Sequence, residues 1–143
     1  MSDQSPFANQ HLDHMGIAVR SIEETEKKYL SLWGKGCFHR EVVEEQGVKV
    51  GFIQMGEMKI ELIEALNEDS PIHKFIEKRG EGLHHLAYRV KDIHAELDRL
   101  DQQEFRLIDQ TPRKGALGKW VAFIHPKSMD GVMMEICQKI ETE

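Results

Sequence analysis

The chain repeats itself at a fixed offset, and this narrows the folds open to it more than any other feature. Residues 13–22 read Asp-His-Met-Gly-Ile-Ala-Val-Arg-Ser-Ile, and residues 84–93 read His-His-Leu-Ala-Tyr-Arg-Val-Lys-Asp-Ile. Aligning His14 with His85 sets an offset of 71, at which Val19 meets Val90, Arg20 meets Lys91 and Ile22 meets Ile93. The same offset brings 50–53 (Val-Gly-Phe-Ile) onto 121–124 (Val-Ala-Phe-Ile). Farther along, 59–63 resembles 133–137, but Glu61 and Glu135 stand 74 apart, so the second copy carries three extra residues. The loop-like stretch 125–131 is the natural place for them. Two segments at one offset and a third shifted by a three-residue insertion argue against coincidence, and two copies fill the 143 residues. Each copy then reads as one supersecondary unit.

Within each copy the pattern predicts β-α-β-β-β. Residues 14–19 alternate as a strand, and Ser21 is placed to cap a helix with Glu23 and Glu24 in its first turn. Ile22, Tyr29, Leu30 and Leu32 give 22–33 an apolar helical face, which Gly34 ends. Strands are expected at 37–45, 48–55 and 58–65, with turns at Gln46-Gly47 and Gly56-Glu57. The second copy offers a strand at 84–90, a helix at 92–103 starting from Asp92, and strands near 105–110, 119–125 and 132–138. Between the copies, 69–80 reads as a short helix capped by Ser70, with Pro71 in its first turn and Gly80 as its stop. The expected class is α+β, a single domain over 11–143. Module one covers about 11–66, a connecting helix 69–80 and module two about 82–138, the two open sheets closing on each other. Residues 1–10 are expected to be a flexible tail and 139–143 a frayed end.

Composition bounds the partners. A chain of this length buries roughly 68–70% of its unfolded surface, so it needs no disulfide or metal merely to fold. The net charge of −6 speaks against nucleic acid, which selects basic patches. No hydrophobic run is long enough to span a membrane. The start, MSDQSPFANQ, lacks the basic head and apolar core of a signal peptide. Cys37 and Cys137 form no CxxC pair and read as reduced thiols, so a cytoplasmic protein is expected.

The repeat also picks out chemistry. His14 and His85 occupy equivalent places on the opening strands, and Glu61 and Glu135 lie mid-strand at the end of each copy. A glutamate between Ile60 and Leu62, or between Met134 and Ile136, is costly inside a sheet unless it is paired or bound to a metal. Singly, such residues are more often a satisfied histidine or a glutamate on a wet face. As a pair of pairs under one repeat, two imidazoles and two carboxylates suit an open divalent-metal shell. His84 points to the face opposite His85. His11, His39, His73 and His94 have no repeat mate and read as surface residues. His125 either lines a pocket or makes a turn. Arg113, Lys114, Lys119 and Lys127 form either an ordinary solvated face or a counterweight to a phosphorylated substrate.

These residues resemble the vicinal-oxygen-chelate (glyoxalase/bleomycin-resistance/dioxygenase) superfamily and, within it, the methylmalonyl-CoA epimerase family, from about His11 to Gln138. The telling words are Asp13-His-Met-Gly-Ile-Ala-Val, Glu45-Gln-Gly-Val-Lys-Val, Asp69-Ser-Pro-Ile, Gly80-Glu-Gly-Leu-His-His, His125-Pro-Lys-Ser and Gly131-Val-Met-Met-Glu. The resemblance implies a half-barrel of mixed sheet around one divalent ion (cobalt, manganese, nickel or zinc), with His14, Glu61, His85 and Glu135 as ligands. It implies epimerisation of methylmalonyl-CoA by 1,1-proton transfer through a metal-stabilised enolate, in a homodimer. Glu135 would serve one face of the substrate. Some members place a glutamate base where this chain has Val50, so Glu61, with Glu45 a weaker option, is the candidate for the other face. Glyoxalase I, acting on a glutathione hemithioacetal, and a non-catalytic ligand-binding protein are the alternatives within the same superfamily.

Overall fold

Two compact units emerge from the computed structural model, which describes residues 11–141: residues 14–84 form one, and residues 85–141 with 11–13 form the other. The expected tail at 1–10, and 142–143 of the expected frayed end, lie outside the described residues.

The first unit takes up β1 (His11–Ala18) from His14 onward, followed by α1 (Ile22–Trp33), β2 (His39–Val43), a 3-10 turn at Glu44–Gln46, β3 (Val48–Met55), β4 (Met58–Ala65) and α2 (Pro71–Arg79). Its sheet runs β2-β3-β4-β1, antiparallel except where β1 joins β4 in parallel. Alternation sends Ile53, Ile60 and Leu62 to one face, where Val19, Ile22 and Tyr29 cover them. The opposite face carries His14, Phe52 and Glu61. The start of α1 is tied down twice. Ser21 Oγ accepts the Glu24 N–H at 3.1 Å, and the Glu64 carboxylate accepts the Ile22 N–H at 2.8 Å. Gly34, left-handed at φ 69°, ends the helix by donating to the Leu30 carbonyl. In α2 Ser70 caps, Pro71 opens and Gly80 stops the helix, as expected from the sequence.

The second unit repeats this plan with β5 (Gly82–Arg89) from His85 onward, α3 (Ile93–Gln102), β6 (Arg113–Lys114), β7 (Lys119–Ile124) and β8 (Met134–Lys139). The sheet order β5-β8-β7-β6 mirrors that of the first unit, with β5 parallel to β8. The helix α3 packs Ile93, Leu97 and Leu100 onto Ala122, Ile124 and Ile136. Its anchors are the same in kind: Asp92 accepts the Ala95 N–H at 3.1 Å, and Gln138 accepts the Ile93 N–H at 2.8 Å. The parallel register is displaced by three residues, with Gly16 beside Glu61 in one unit and Ala87 beside Glu135 in the other. The 3-10 turn at Pro126–Met129 lies in the loop that holds the insertion.

Two sequence expectations need correction. No strand forms at 105–110, where Leu107 makes only an isolated bridge to Ile124. The N–H groups of Ile108 and Asp109 both go to the Phe123 carbonyl, and the Asp109 carboxylate takes the Phe123 N–H at 2.9 Å. A side chain thus replaces a backbone acceptor, the chain bulges, and pairing resumes only for the two residues of β6. The strand expected at 37–45 is likewise shorter, because Glu44–Gln46 turn tightly into Gly47 at φ 67°.

Candidate metal centre

In the first unit, the parallel pairing of β1 with β4 sets Gly16 opposite Glu61, and His14 lies two residues away on the same face. Gly16 has no side chain to separate them, and His14 Nε2 stands 3.3 Å from Glu61 Oε1. Phe52, the β3 partner of Glu61, presents its ring at 88° to the His14 imidazole with centroids 5.9 Å apart. The second unit builds the same trio. Ala87 lies opposite Glu135, His85 Nε2 stands 3.6 Å from Glu135 Oε1, and Phe123, the β7 partner of Glu135, meets the His85 ring at 88° and 5.4 Å. The relative exposures of His14, Glu61, His85 and Glu135 are 4%, 8%, 2% and 4%.

Burial at this level makes four polar side chains expensive to keep unless their charge is compensated. Each unit offers one imidazole nitrogen and one carboxylate oxygen, donor types that suit borderline divalent ions, and in donor chemistry these residues fit such an ion. The phenyl rings pack edge-on against each imidazole. Phe52 and Phe123 carry no heteroatom, so their residue type alone does not mark them in the sequence. The signal that finds them is the repeat, in which they too stand 71 apart.

The remaining candidates resolve one by one. His84 packs edge-on against Phe75 at 4.9 Å, away from the face of its neighbour His85. His125 takes the turn role, its Nδ1 accepting the Lys127 N–H at 3.0 Å. Glu45 is exposed in the 3-10 turn. The basic group is largely engaged internally. Lys119 Nζ donates to Asp13 at 2.5 Å, Arg113 lies 3.1 Å from Asp109, and Lys114 sits 6.0 Å over the Trp120 ring. Cys137 is buried and Cys37 half-buried, neither in a disulfide. Burial, helped by the charge of Glu26, pushes the Cys37 thiol up to about 11. His39 departs from its expected surface role: it is half-buried, and its Nε2 lies 2.8 Å from Glu41 Oε1.

Two βαβββ modules are the plan of the vicinal-oxygen-chelate fold. The family model for the glyoxalase/bleomycin resistance protein/dioxygenase superfamily accordingly matches residues 13–123. The uncharacterized protein YqjC of Bacillus subtilis (strain 168) is 48% identical over 127 residues, spanning 89% of this chain and 91% of that one. The mitochondrial methylmalonyl-CoA epimerase of Dictyostelium discoideum is 37% identical over 129 residues, 90% of this chain and 78% of its own. A Streptomyces coelicolor methylmalonyl-CoA epimerase variant, solved in complex with 2-nitronate-propionyl-CoA, superposes with a TM-score of 0.88 at 33% identity, covering 93% of this chain and 96% of that one. The chain belongs to the methylmalonyl-CoA epimerase family of this superfamily, and its enzyme class is isomerase. No helix among the described residues is long and apolar enough to cross a membrane.

Proposed function

We propose that His14, Glu61, His85 and Glu135 together hold one divalent metal ion, and that the chain interconverts the (R) and (S) forms of methylmalonyl-CoA. The observation that carries this reading is the buried His–Glu pair backed by a phenyl ring, built once in each unit. When bound, the ion would supply positive charge to the substrate oxygens as the carbon between carboxylate and thioester loses its proton. The protein's own share is positional. His14 and His85 are held edge-on by Phe52 and Phe123, which keeps their nitrogens aimed and their surroundings dry. Glu135, fixed on β8, removes or returns the proton on one face of the substrate carbon. Its repeat mate Glu61 is the sequence's candidate for the other face. The same reading places the protein in the cytoplasm as a homodimer, one domain spanning both modules.

The test is an assay of metal-depleted protein reconstituted with cobalt, manganese, nickel or zinc. It is run on methylmalonyl-CoA and, separately, on the hemithioacetal of methylglyoxal and glutathione. Metal-dependent inversion of the thioester is expected. Turnover of the hemithioacetal alone would assign the chain to glyoxalase I chemistry. Inertness toward both, with no ion required, would mean a binding protein.

A further inference from the structure

We infer that His39, oriented by Glu41, is the second proton-transfer group of the site. The inference rests on the epimerase reading and deepens it. In β2 the exposed Arg40 reaches across to Glu26 of α1, which turns its neighbours His39 and Glu41 to the opposite face. The register confirms the side: His39 lies opposite Phe52 and Glu41 opposite Val50, on the face that carries Glu61. Phe52 stands between two imidazoles, edge-on to His14 at 5.9 Å and tilted against His39 at 6.3 Å. The metal pair and the His39–Glu41 pair are therefore built around one ring.

Inverting a stereocentre needs one acid/base group on each face of the planar intermediate. Besides His14 and Glu61, alternation places Lys59, His39 and Glu41 on this face of the first unit. Val50, opposite Glu41, is buried and has no proton to transfer. With two carboxylate bases, both Glu61, engaged 3.3 Å from His14, and Glu135, 3.6 Å from His85, would have to leave the ion before acting. Lys59 is a cation. His39 requires no such detachment. Its Nε2–H donates to Glu41 Oε1 at 2.8 Å, which leaves the lone pair on Nδ1. The repeat supplies no counterpart: at the offset of 71, His39 and Glu41 meet Gln110 and Pro112, in the segment where the expected strand breaks. The two units thus bring different bases, an imidazole from the first and the Glu135 carboxylate from the second.

The step balances. For one epimer, the α-carbon–hydrogen bond breaks, its proton passes to His39 Nδ1 and its electron pair enters the thioester carbonyl as an enolate. A protonated Glu135 then returns a proton to the opposite face, leaving His39 protonated and Glu135 ionised. The other epimer runs the same step in reverse.

The test uses metal-loaded protein and methylmalonyl-CoA in deuterated water, following inversion and α-proton exchange separately for each epimer. In His39→Gln, inversion is expected to fall about 10²–10⁴-fold, while exchange without inversion persists for the epimer that Glu135 deprotonates. Glu135→Gln should show the opposite preference. Added imidazole should partly restore inversion in His39→Ala, an effect that a merely structural histidine would not show. Glu41→Gln should lower kcat with little change in KM, as expected of a positioning residue. Inversion at the wild-type rate in His39→Gln, or loss of exchange for both epimers alike, would overturn the assignment. A wild-type protein that neither inverts nor exchanges the thioester would instead refute the epimerase reading beneath it.

Discussion

Substituting Phe52 by leucine separates a ring that merely fills space from one that aims a ligand. The Phe52 side chain is 2% exposed and meets His14 edge-on at 88°. An edge-to-face pair of this kind contributes about 0.5–1.5 kcal/mol beyond its buried area. If that contribution orients His14 toward a metal, its loss should weaken binding by about 2- to 12-fold, since 1.4 kcal/mol is a factor of ten. Leucine also leaves unfilled volume, costing about 1–2 kcal/mol of stability in the metal-free protein. That loss lowers the melting temperature by about 4 °C per kcal/mol. The assay is zinc affinity by competition with a chelating dye, alongside thermal unfolding with and without metal. Ile53→Val is the control, because Ile53 is fully buried next door in β3 but faces α1. It should cost about 0.5–1.5 kcal/mol of stability and leave zinc affinity unchanged. Phe123→Leu should reproduce the Phe52→Leu effect through His85. Unchanged zinc affinity in both phenylalanine variants, with stability lost, would refute the orienting role and reduce the rings to core packing.

Three further predictions concern the scaffold. Ser21→Ala and Asp92→Ala remove equivalent side-chain caps, so each should cost about 1 kcal/mol in urea denaturation, and the two losses should be alike. The Glu26 carboxyl is held below its usual value of 4.5, chiefly by the Cys37 backbone N–H and, against the opposing effect of burial, by Arg40. A depressed folded-state pKa gives stability that is present above 4.5 and lost as pH falls through the lower folded value; Glu26→Gln should flatten the acid limb of the pH–stability curve. Cys37, with its pKa raised to about 11, and the buried Cys137 should alkylate slowly with iodoacetamide at pH 8 and rapidly in urea. Fast labelling of native protein would contradict the described packing.

The buried His–Glu pairs were legible in the sequence because a repeat makes a long-range relation readable as a short-range one. His14 and His85 share an offset, and the three-residue difference at Glu61 and Glu135 anticipated the register displacement between the two parallel ladders. Helix starts at Ser21, Ser70 and Asp92 were legible because capping is local chemistry. The break at 105–110 was not, because its apolar pattern suits a strand and only the Asp109 carboxylate, arriving at Phe123, takes the ladder's place. The basic cluster stayed open between a solvated face and a substrate counterweight for the same reason, since its partners Asp13 and Asp109 are identified only by contact.

The sequence by itself therefore determined the duplicated βαβββ plan, the helix boundaries and the pairing of a histidine with a glutamate in each copy, all encoded in periodicity, capping and repetition. Only the tertiary structure decided which neighbours those residues keep. That Phe52 and Phe123 stand edge-on to the histidines, and that His39 shares a face with Glu61, follows from cross-strand register. Register is set by pairing between segments distant along the chain, and a residue without a repeat mate, such as His39, carries no mark of it in the sequence.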